Sequence, residues 1–532
     1  MSKLFKRLLE SRGIREDFLQ PRYDGLADPF LLPDMDKAVE RILQAVKVKE
    51  HILIYGDYDV DGITSSTVME EALRLAGAKQ IEIMLPDRFV DGYGMSPKLV
   101  TRAKKDKVNL VITVDCGSAN DDIVQKLADA GIDTVVTDHH ECPEKLPEAV
   151  AVINPKRKDY DGFRELAGVG VAFKVAMALV QRGAIPAGQE KWMLDLVLLG
   201  TICDSMPLKN ENRILGYFGM KVLEKTRRAG LKELLKTAGV KKINSEAIGF
   251  QMGPRLNAAG RIKSAEIALA LLRAKTGAEA AALAVKLEDL NKKRKSEQQA
   301  AVAEIEKRGI SDAPVIVEAG NWHEGILGIV AGRLVENYHR PAFVLSEVED
   351  GVLKGSGRSF GDFSLAEALG ACRETLISGG GHAGAAGVKL ETQKLDDFKT
   401  QICEFYKSLK LIDQERFLRE REDLAVEKLG EVSLDFVDEL KQLEPFGEGN
   451  PEPILKLQNA EILEVRKMGT DAKHLSLLAK GADGETMRLV AFFAPSEWFE
   501  ITPGESKDIL IRMMENEWRG TRSVEGRIVE IL

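Results

Sequence analysis

Short runs of aliphatic and β-branched residues recur through the first half of the chain: HILIY at 51–55, IEIML at 81–85, NLVITV at 109–114, DTVVT at 133–137 and an apolar stretch at 150–153. Helical stretches that end near glycine, such as 63–76 and 119–130, lie between most of them. Apolar strands alternating with helices predict a parallel sheet covered on both faces. Helices dominate from 168 to 236. The segment 276–308 is rich in Ala, Glu, Lys and Gln and has no Pro, which predicts one long helix joining two domains. Its NKKRK run at 291–295 reads as a solvated face or as a DNA contact.

A second α/β pattern follows. PVIVEA at 314–319 and AFVLSE at 342–347 are expected strands, and 324–337 and 394–409 expected helices. The charged stretch 411–422 reads as a linker or solvated helix. Beyond Pro453, five short strands with glycine-containing turns predict a small β-barrel of the OB type. The expected order is an N-terminal segment (1–39), an α/β domain (40–265), connecting helices (266–311), a second α/β domain (312–410), a linker (411–453) and the barrel (454–532).

A length of 532 residues suits two to four domains. No apolar run approaches the roughly 20 residues needed to span a bilayer, so no membrane association is expected. No signal-peptide pattern follows MSKLFKRLLE, which makes the cytoplasm the expected location. The five cysteines form no C-x-x-C pair, which argues against a structural zinc site. A net charge of −9 disfavours a general nucleic-acid coat protein but allows an enzyme with one basic groove.

Acidic residues gather where the strands end. Asp57, Asp59 and Asp61 follow the first strand in YGDYDVDGITSS; Asp115 follows the third, in VDCGS; Asp138, His139 and His140 follow the fourth; Asp204 ends a helix in GTICDSMPL. Open α/β sheets bind ligands at that edge. Carboxylates this dense repel one another without a cation. Oxygen donors with a few imidazoles suit manganese or magnesium, with manganese favoured by the imidazoles. The number of acids suggests two ions roughly 3.5–4 Å apart, able to generate a hydroxide and stabilise charge on a phosphoryl group.

GDYDVDG, VDCG, Asp138-His139-His140 and CDSMPL, in this order and spacing, resemble the DHH superfamily of phosphoesterases. Tyr55-Gly56-Asp57 stands where its pyrophosphatases and small-oligonucleotide enzymes usually carry histidine, as in its RecJ exonuclease branch. FQMGPRLNAAGR (250–261), NWHEGILGIVAGR (321–333), GSGRS (355–359), SGGGHAGAAG (378–387) and LEPFGEGNPEP (443–453) also resemble RecJ segments, the glycine-rich one with His382 marking the accessory DHHA1 domain. The resemblance implies a DHH domain, a connecting helix, a DHHA1 domain and an OB-like barrel. It matches Asp59, Asp61, Asp115, His140 and Asp204 to metal-ligand and catalytic positions, with Asp115 bridging. Asp57 is counted with the ligands and His139 with the catalytic residues.

Glycine-rich backbone allows close phosphate approach. Ser356, Arg358, Ser359 and His382 are therefore expected to hold a terminal phosphate. Arg255 and Arg261 either grip backbone phosphates or form structural salt bridges. Phe492, Phe493, Trp498, Phe499 and Trp518 either stack on bases or fill the barrel. The implied activity is a 5′-directed exonuclease on single-stranded DNA in repair and recombination, with a single-strand-binding protein and a RecQ-like helicase as partners. The other readings are a phosphodiesterase of short oligonucleotides or cyclic dinucleotides, and a non-catalytic replication subunit.

Overall fold

A computed structural model of the chain describes residues 1–411, 414–417, 421–469 and 473–532, apart from the side chains of Glu415 and Trp518. Part of the charged stretch 411–422 and the ring of Trp518 thus lie outside the described residues. The described chain divides into two compact units. One comprises Asp28–Met206 and Gly219–Arg416; the other comprises Met1–Ala27, Pro207–Phe218 and Phe417–Leu532. Among the described residues, no helix is long and apolar enough to cross a membrane.

In the larger unit, strands β1 (His51–Gly56), β2 (Gln80–Met84), β3 (Leu110–Val114), β4 (Asp133–Thr137) and β5 (Ala151–Ile153) form a parallel sheet in the order β2-β1-β3-β4-β5. Every residue of β3 is buried, as a strand covered on both faces requires. Gly56 pairs with Val114 and Val114 with Thr137. The residues that follow them, Asp57, Asp115 and Asp138, therefore leave the sheet side by side at its carboxyl edge.

The helix Gly277–Arg308 begins at Thr276, whose hydroxyl accepts from the Glu279 amide at 3.2 Å. Its buried positions Ala280, Ala284, Leu287 and Asn291 recur at helical spacing. Its last turns place Ala301, Val302 and Ile305 in one core with Ile316, Leu327 and Val344 of the second α/β layer. The helix is thus packed along its length rather than a free spacer.

The second sheet has five strands where the sequence suggested two. These are β6 (Ile316–Gly320), β7 (Ala342–Glu349), β8 (Val352–Arg358), β9 (Ser378–Gly381) and β10 (Ala385–Glu391), in the order β6-β7-β8-β10-β9. Glycine hid the last three. In β8 its reason is steric, because a Cβ on Gly357 would lie 2.5 Å from the Phe343 ring.

In the smaller unit, β12 (Ile454–Met468), β13 (His474–Lys480), β14 (Thr486–Ala491), β15 (Ser506–Trp518) and β16 (Thr521–Ile531) close into a barrel through a β12–β15 pairing, and β11 (Leu424–Val426) adds to β12. The region expected to be a linker is structured from β11 onward. Leu429, Phe436 and Leu443 share the barrel's core with Leu4, Phe5 and Leu8 of the helix Lys3–Ser11. Arg213 ties the pieces together, donating to the carbonyls of Phe18, Gln442, Leu443 and Glu444. The first 27 residues therefore belong with the barrel and not with a separate N-terminal segment. Short amphipathic pieces carry no sequence mark of the distant partner they cover.

Candidate active site

Backbone geometry at the carboxyl edge explains the acid cluster. Asp59 caps the helix Val60–Leu75, its Oδ1 accepting from the Gly62 amide at 3.0 Å. Asp61, in the first turn, accepts from the amides of Gly168 (2.7 Å) and Val169 (2.9 Å) at the start of the helix Gly168–Gln181. Asp115 holds a left-handed conformation at φ 60°, and a Cβ on Gly168 would lie 2.6 Å from its Oδ1. Asp204 follows the helix Leu194–Cys203.

Asp138 serves a different purpose. Its Oδ1 accepts from the amides of His139 (2.7 Å) and His140 (3.1 Å), and Oδ2 from that of Ser118 (2.9 Å). His140 Nδ1 lies 2.8 Å from Asp138 Oδ1 and 2.9 Å from the Tyr93 hydroxyl. Asp138 thus orients the histidine pair. Its carboxyl is held well below the usual range despite burial, chiefly by the hydrogen bond and charge of His140. In return the His140 imidazole is raised, the carboxylate outweighing burial.

His139 is buried at the centre. Its Nε2 lies 3.0 Å from Asp115, 3.6 Å from Asp204 and 3.7 Å from Asp61, yet neither ring nitrogen makes a hydrogen bond. Asp57 Oδ1 and Asp115 Oδ1 are likewise buried without a partner. Donor atoms that converge without bonding one another fit a shared cation. Among the described residues, three sets of ligand atoms each fall within 4.8 Å: Asp57-Asp59-Asp115, Asp115-His139-His140 and Asp61-His139-Asp204. His139, expected among the catalytic residues and at or next to the metal, belongs geometrically with the ligands. Such an oxygen-rich set with imidazoles suits manganese or magnesium.

The electrostatics agree. Burial, then the charge of Asp59, pushes the Asp61 carboxyl up to about 7; burial, then Asp61 and Asp59, pushes Asp204 up to about 8. Asp57 and Asp115 are raised by the same causes. Burial lowers His139 to about 3, leaving it neutral and ready to ligate.

A cavity of about 300 Å³ opens above these acids and is walled on its other side by Arg88, Asn257 and Arg261. The Arg261 Nη1 is shielded from solvent without a hydrogen bond. Burial lowers this guanidinium to about 9, and the charges of Arg88, Arg358 and Arg294 add to the effect. Cations gathered against one another in this way suit phosphate. Arg358 donates to the Ser356 hydroxyl at 3.1 Å. The strand pairing sets Ala385 opposite Arg358, and the Ser359 amide donates to the Gly384 carbonyl at 3.0 Å. The turn bearing His382, between β9 and β10, therefore lies beside the Arg358–Ser359 end of β8.

The expected arginines divide. Arg255 pairs with Glu288 at 2.6 Å and donates to the Gln251 carbonyl, so the structural reading holds for it. Two others were missed. Arg88 follows β2 and lies 5.0 Å over the Tyr58 ring. Arg294 sits inside the NKKRK run. Its neighbours Lys292 and Lys293 reach Glu288 and Glu297 on their own helix. Arg294 faces inward, held by Asn291 Oδ1. Helical spacing from the buried Asn291 was the available signal.

Residues 51–201 match the DHH family, N-terminal domain; 312–408 match the DHHA1 domain; 424–530 match the RecJ OB domain. The single-stranded-DNA-specific exonuclease RecJ of Bacillus subtilis is 36% identical over 98% of this chain, which spans 66% of that protein. The protein of the same name from Escherichia coli is 33% identical, with 98% of this chain and 94% of that protein covered. The crystal structure of RecJ in complex with Mn2+ from Thermus thermophilus superposes with a TM-score of 0.83 at 29% identity, over 99% of this chain and 75% of the other. A sequence match this long, reaching nearly from end to end of the Escherichia coli protein, means that the chain belongs to the RecJ family.

Proposed function

We propose that this protein is a metal-dependent exonuclease that hydrolyses phosphodiester bonds of single-stranded DNA from the 5′ end, in DNA repair and recombination. The observation that carries the reading is the buried convergence of unpaired Asp57, Asp115 and His139 donor atoms beneath a wall of arginines. Relatives named single-stranded-DNA-specific exonucleases support the substrate, and RecJ structures with Mn2+ and Mg2+ support the cofactor. The 5′ polarity, the cytoplasmic location and partnership with a single-strand-binding protein and a RecQ-like helicase rest on the family resemblance.

Asp57, Asp59, Asp61, Asp115, His140 and Asp204, joined by His139, would hold two divalent ions. Bound there, the ions supply Lewis acidity at the phosphoryl group and ease deprotonation of water. Asp115 belongs to two of the three ligand sets and would be the carboxylate shared between the ions. Asp138 and Tyr93 fix the His140 ring. Arg88 and Arg261 neutralise the phosphate entering the cavity. Arg358, with Ser356, Ser359 and His382 beside it, seats the terminal phosphate.

The test is a time course on single-stranded DNA labelled at either end, with and without manganese, beside a dinucleotide. Labelled mononucleotide released first from the 5′ label, only with metal, is expected. Release from the 3′ end, or cleavage of the dinucleotide alone, overturns the reading.

A further inference from the structure

A second cavity, of about 160 Å³, adjoins the acidic one, and the two share Cys203, Asn257 and Arg261 in their walls. Its chemistry is different. Pro254, Gly249, Gly253 and Ile329 give it apolar surface, and no carboxylate lines it. Asn257 has no side-chain hydrogen bond among the described residues. The Arg294 guanidinium is held flat through Nε and Nη2 by Asn291 Oδ1, at 3.2 and 3.0 Å, with no acidic partner among the described residues.

The rim carries the sharper observation. Residues Ala247–Met252 form a π-helical turn, a rare form found often at functional sites. That turn leaves the Phe250 side chain 78% exposed. Gly249, the residue before Phe250, lines the cavity together with Gly253 and Pro254 just after the turn. An exposed aromatic ring is thus carried by the residue next to one that lines the apolar pocket beside the acid cluster. Burial in the protein's own core does not account for it.

We infer that this cavity is a nucleobase subsite, with the Phe250 ring stacking on the base of a nucleotide adjoining the scissile phosphate. The inference rests on the exonuclease reading, which puts a phosphate in the neighbouring cavity. A base one linkage away then reaches the shared wall. Stacking suits an enzyme that accepts any sequence, because every base offers a π-face. Asn257 supplies both donors and an acceptor to whatever edge arrives, and Arg294 offers a planar cation.

The experiment uses strands with 2-aminopurine at each of the first four positions and phosphorothioates at the first linkages, so that they bind without turnover. In the wild-type protein with manganese, fluorescence should be quenched at one position. Phe250→Ala should lose that quenching, and Phe250→Trp should restore it. On unmodified strands Phe250→Ala should raise KM by about five- to 150-fold, the usual loss for one base stack, with a smaller change in kcat. An abasic site at the quenched position should erase the difference between wild type and Phe250→Ala. Equal quenching in Phe250→Ala, or an undiminished KM defect on the abasic strand, overturns the inference. Failure of the exonuclease reading is seen separately, as no metal-dependent release of mononucleotides by the wild-type protein.

Discussion

Replacing Asp115 by Asn removes one charge from the centre of the acid cluster without disturbing the backbone, since Asn tolerates the left-handed conformation at φ 60°. The acids around it already resist ionisation: burial, then the charge of Asp59, pushes Asp61 up to about 7, and burial, then Asp61 and Asp59, pushes Asp204 up to about 8, against roughly 3.9 for an ordinary Asp. The folded metal-free protein therefore holds more protons than the unfolded chain between about pH 4 and 8, and its stability falls as pH rises through that window. Two charges at 4 Å repel by about 4 kcal/mol at an effective dielectric of 20. With partial protonation, neutralising Asp115 should return about 1–3 kcal/mol at pH 8.5 and almost nothing at pH 5.5. That is roughly 1–4 °C in Tm for a unit of this scale. The assay is thermal unfolding of chelated wild type and Asp115→Asn across pH 5.5–8.5, repeated with manganese. Metal at a hundred times its Kd should stabilise the wild type by about 2.7 kcal/mol and the variant hardly at all, and the variant should not hydrolyse DNA. A chelated variant less stable than wild type at pH 8.5, or one still stabilised by manganese, would refute the shared-cation geometry.

Chelation should abolish hydrolysis and manganese should restore it best; full activity with metal absence verified by elemental analysis would contradict this. Between about pH 6.5 and 8 the apparent manganese affinity should tighten roughly tenfold per unit for each proton displaced, as Asp61 and Asp204 ionise; a flat calorimetric titration against pH would count against it. Arg358→Ala should lose about 1.5–3 kcal/mol on strands with a 5′ phosphate and less on those with a 5′ hydroxyl; equal losses would mean that Arg358 does not read the terminal phosphate. Arg213→Met leaves the carbonyls of Phe18, Gln442 and Leu443 without their donor. It should cost ~1–3 kcal/mol, seen as faster proteolysis near residue 20, and unchanged cleavage would remove the role given to Arg213. Truncation after residue 453 should aggregate rather than merely weaken DNA binding, because it strips the strands that share a core with Leu4, Phe5 and Leu8.

The barrel aromatics show how far residue type alone reaches. Phe492 and Phe493 are exposed, each edge-on to His474, while Trp498 and Phe499 pack against the barrel's core. Composition could not separate the two pairs, because the same rings serve both ends: Phe492 and Phe493 follow the last residue of β14 while Trp498 and Phe499 lie in the helical turn Ser496–Glu500, and only the folded chain sets what each faces.

The acid cluster was legible because its logic is local. A buried parallel strand ends, the chain turns at the carboxyl edge, and the next residue is Asp57, Asp115 or Asp138. Periodicity places each acid at that edge without any knowledge of the others. What each acid does there is a tertiary matter. Asp138 became the orienting group, and His139 moved in among Asp61, Asp115 and Asp204, because neighbouring elements supplied the hydrogen bonds that decide between them. The same holds for the arginines. Arg255 and Arg261 share one helix, yet Glu288 from another helix takes the first and leaves the second to the cavity. It holds too for the N-terminal helix, whose apolar face says that it must be covered but not by what. Patterns of period two and 3.6 are written in neighbouring residues. Pairings across hundreds of residues are chosen by the free energy of the whole packed chain, and no segment carries that information alone.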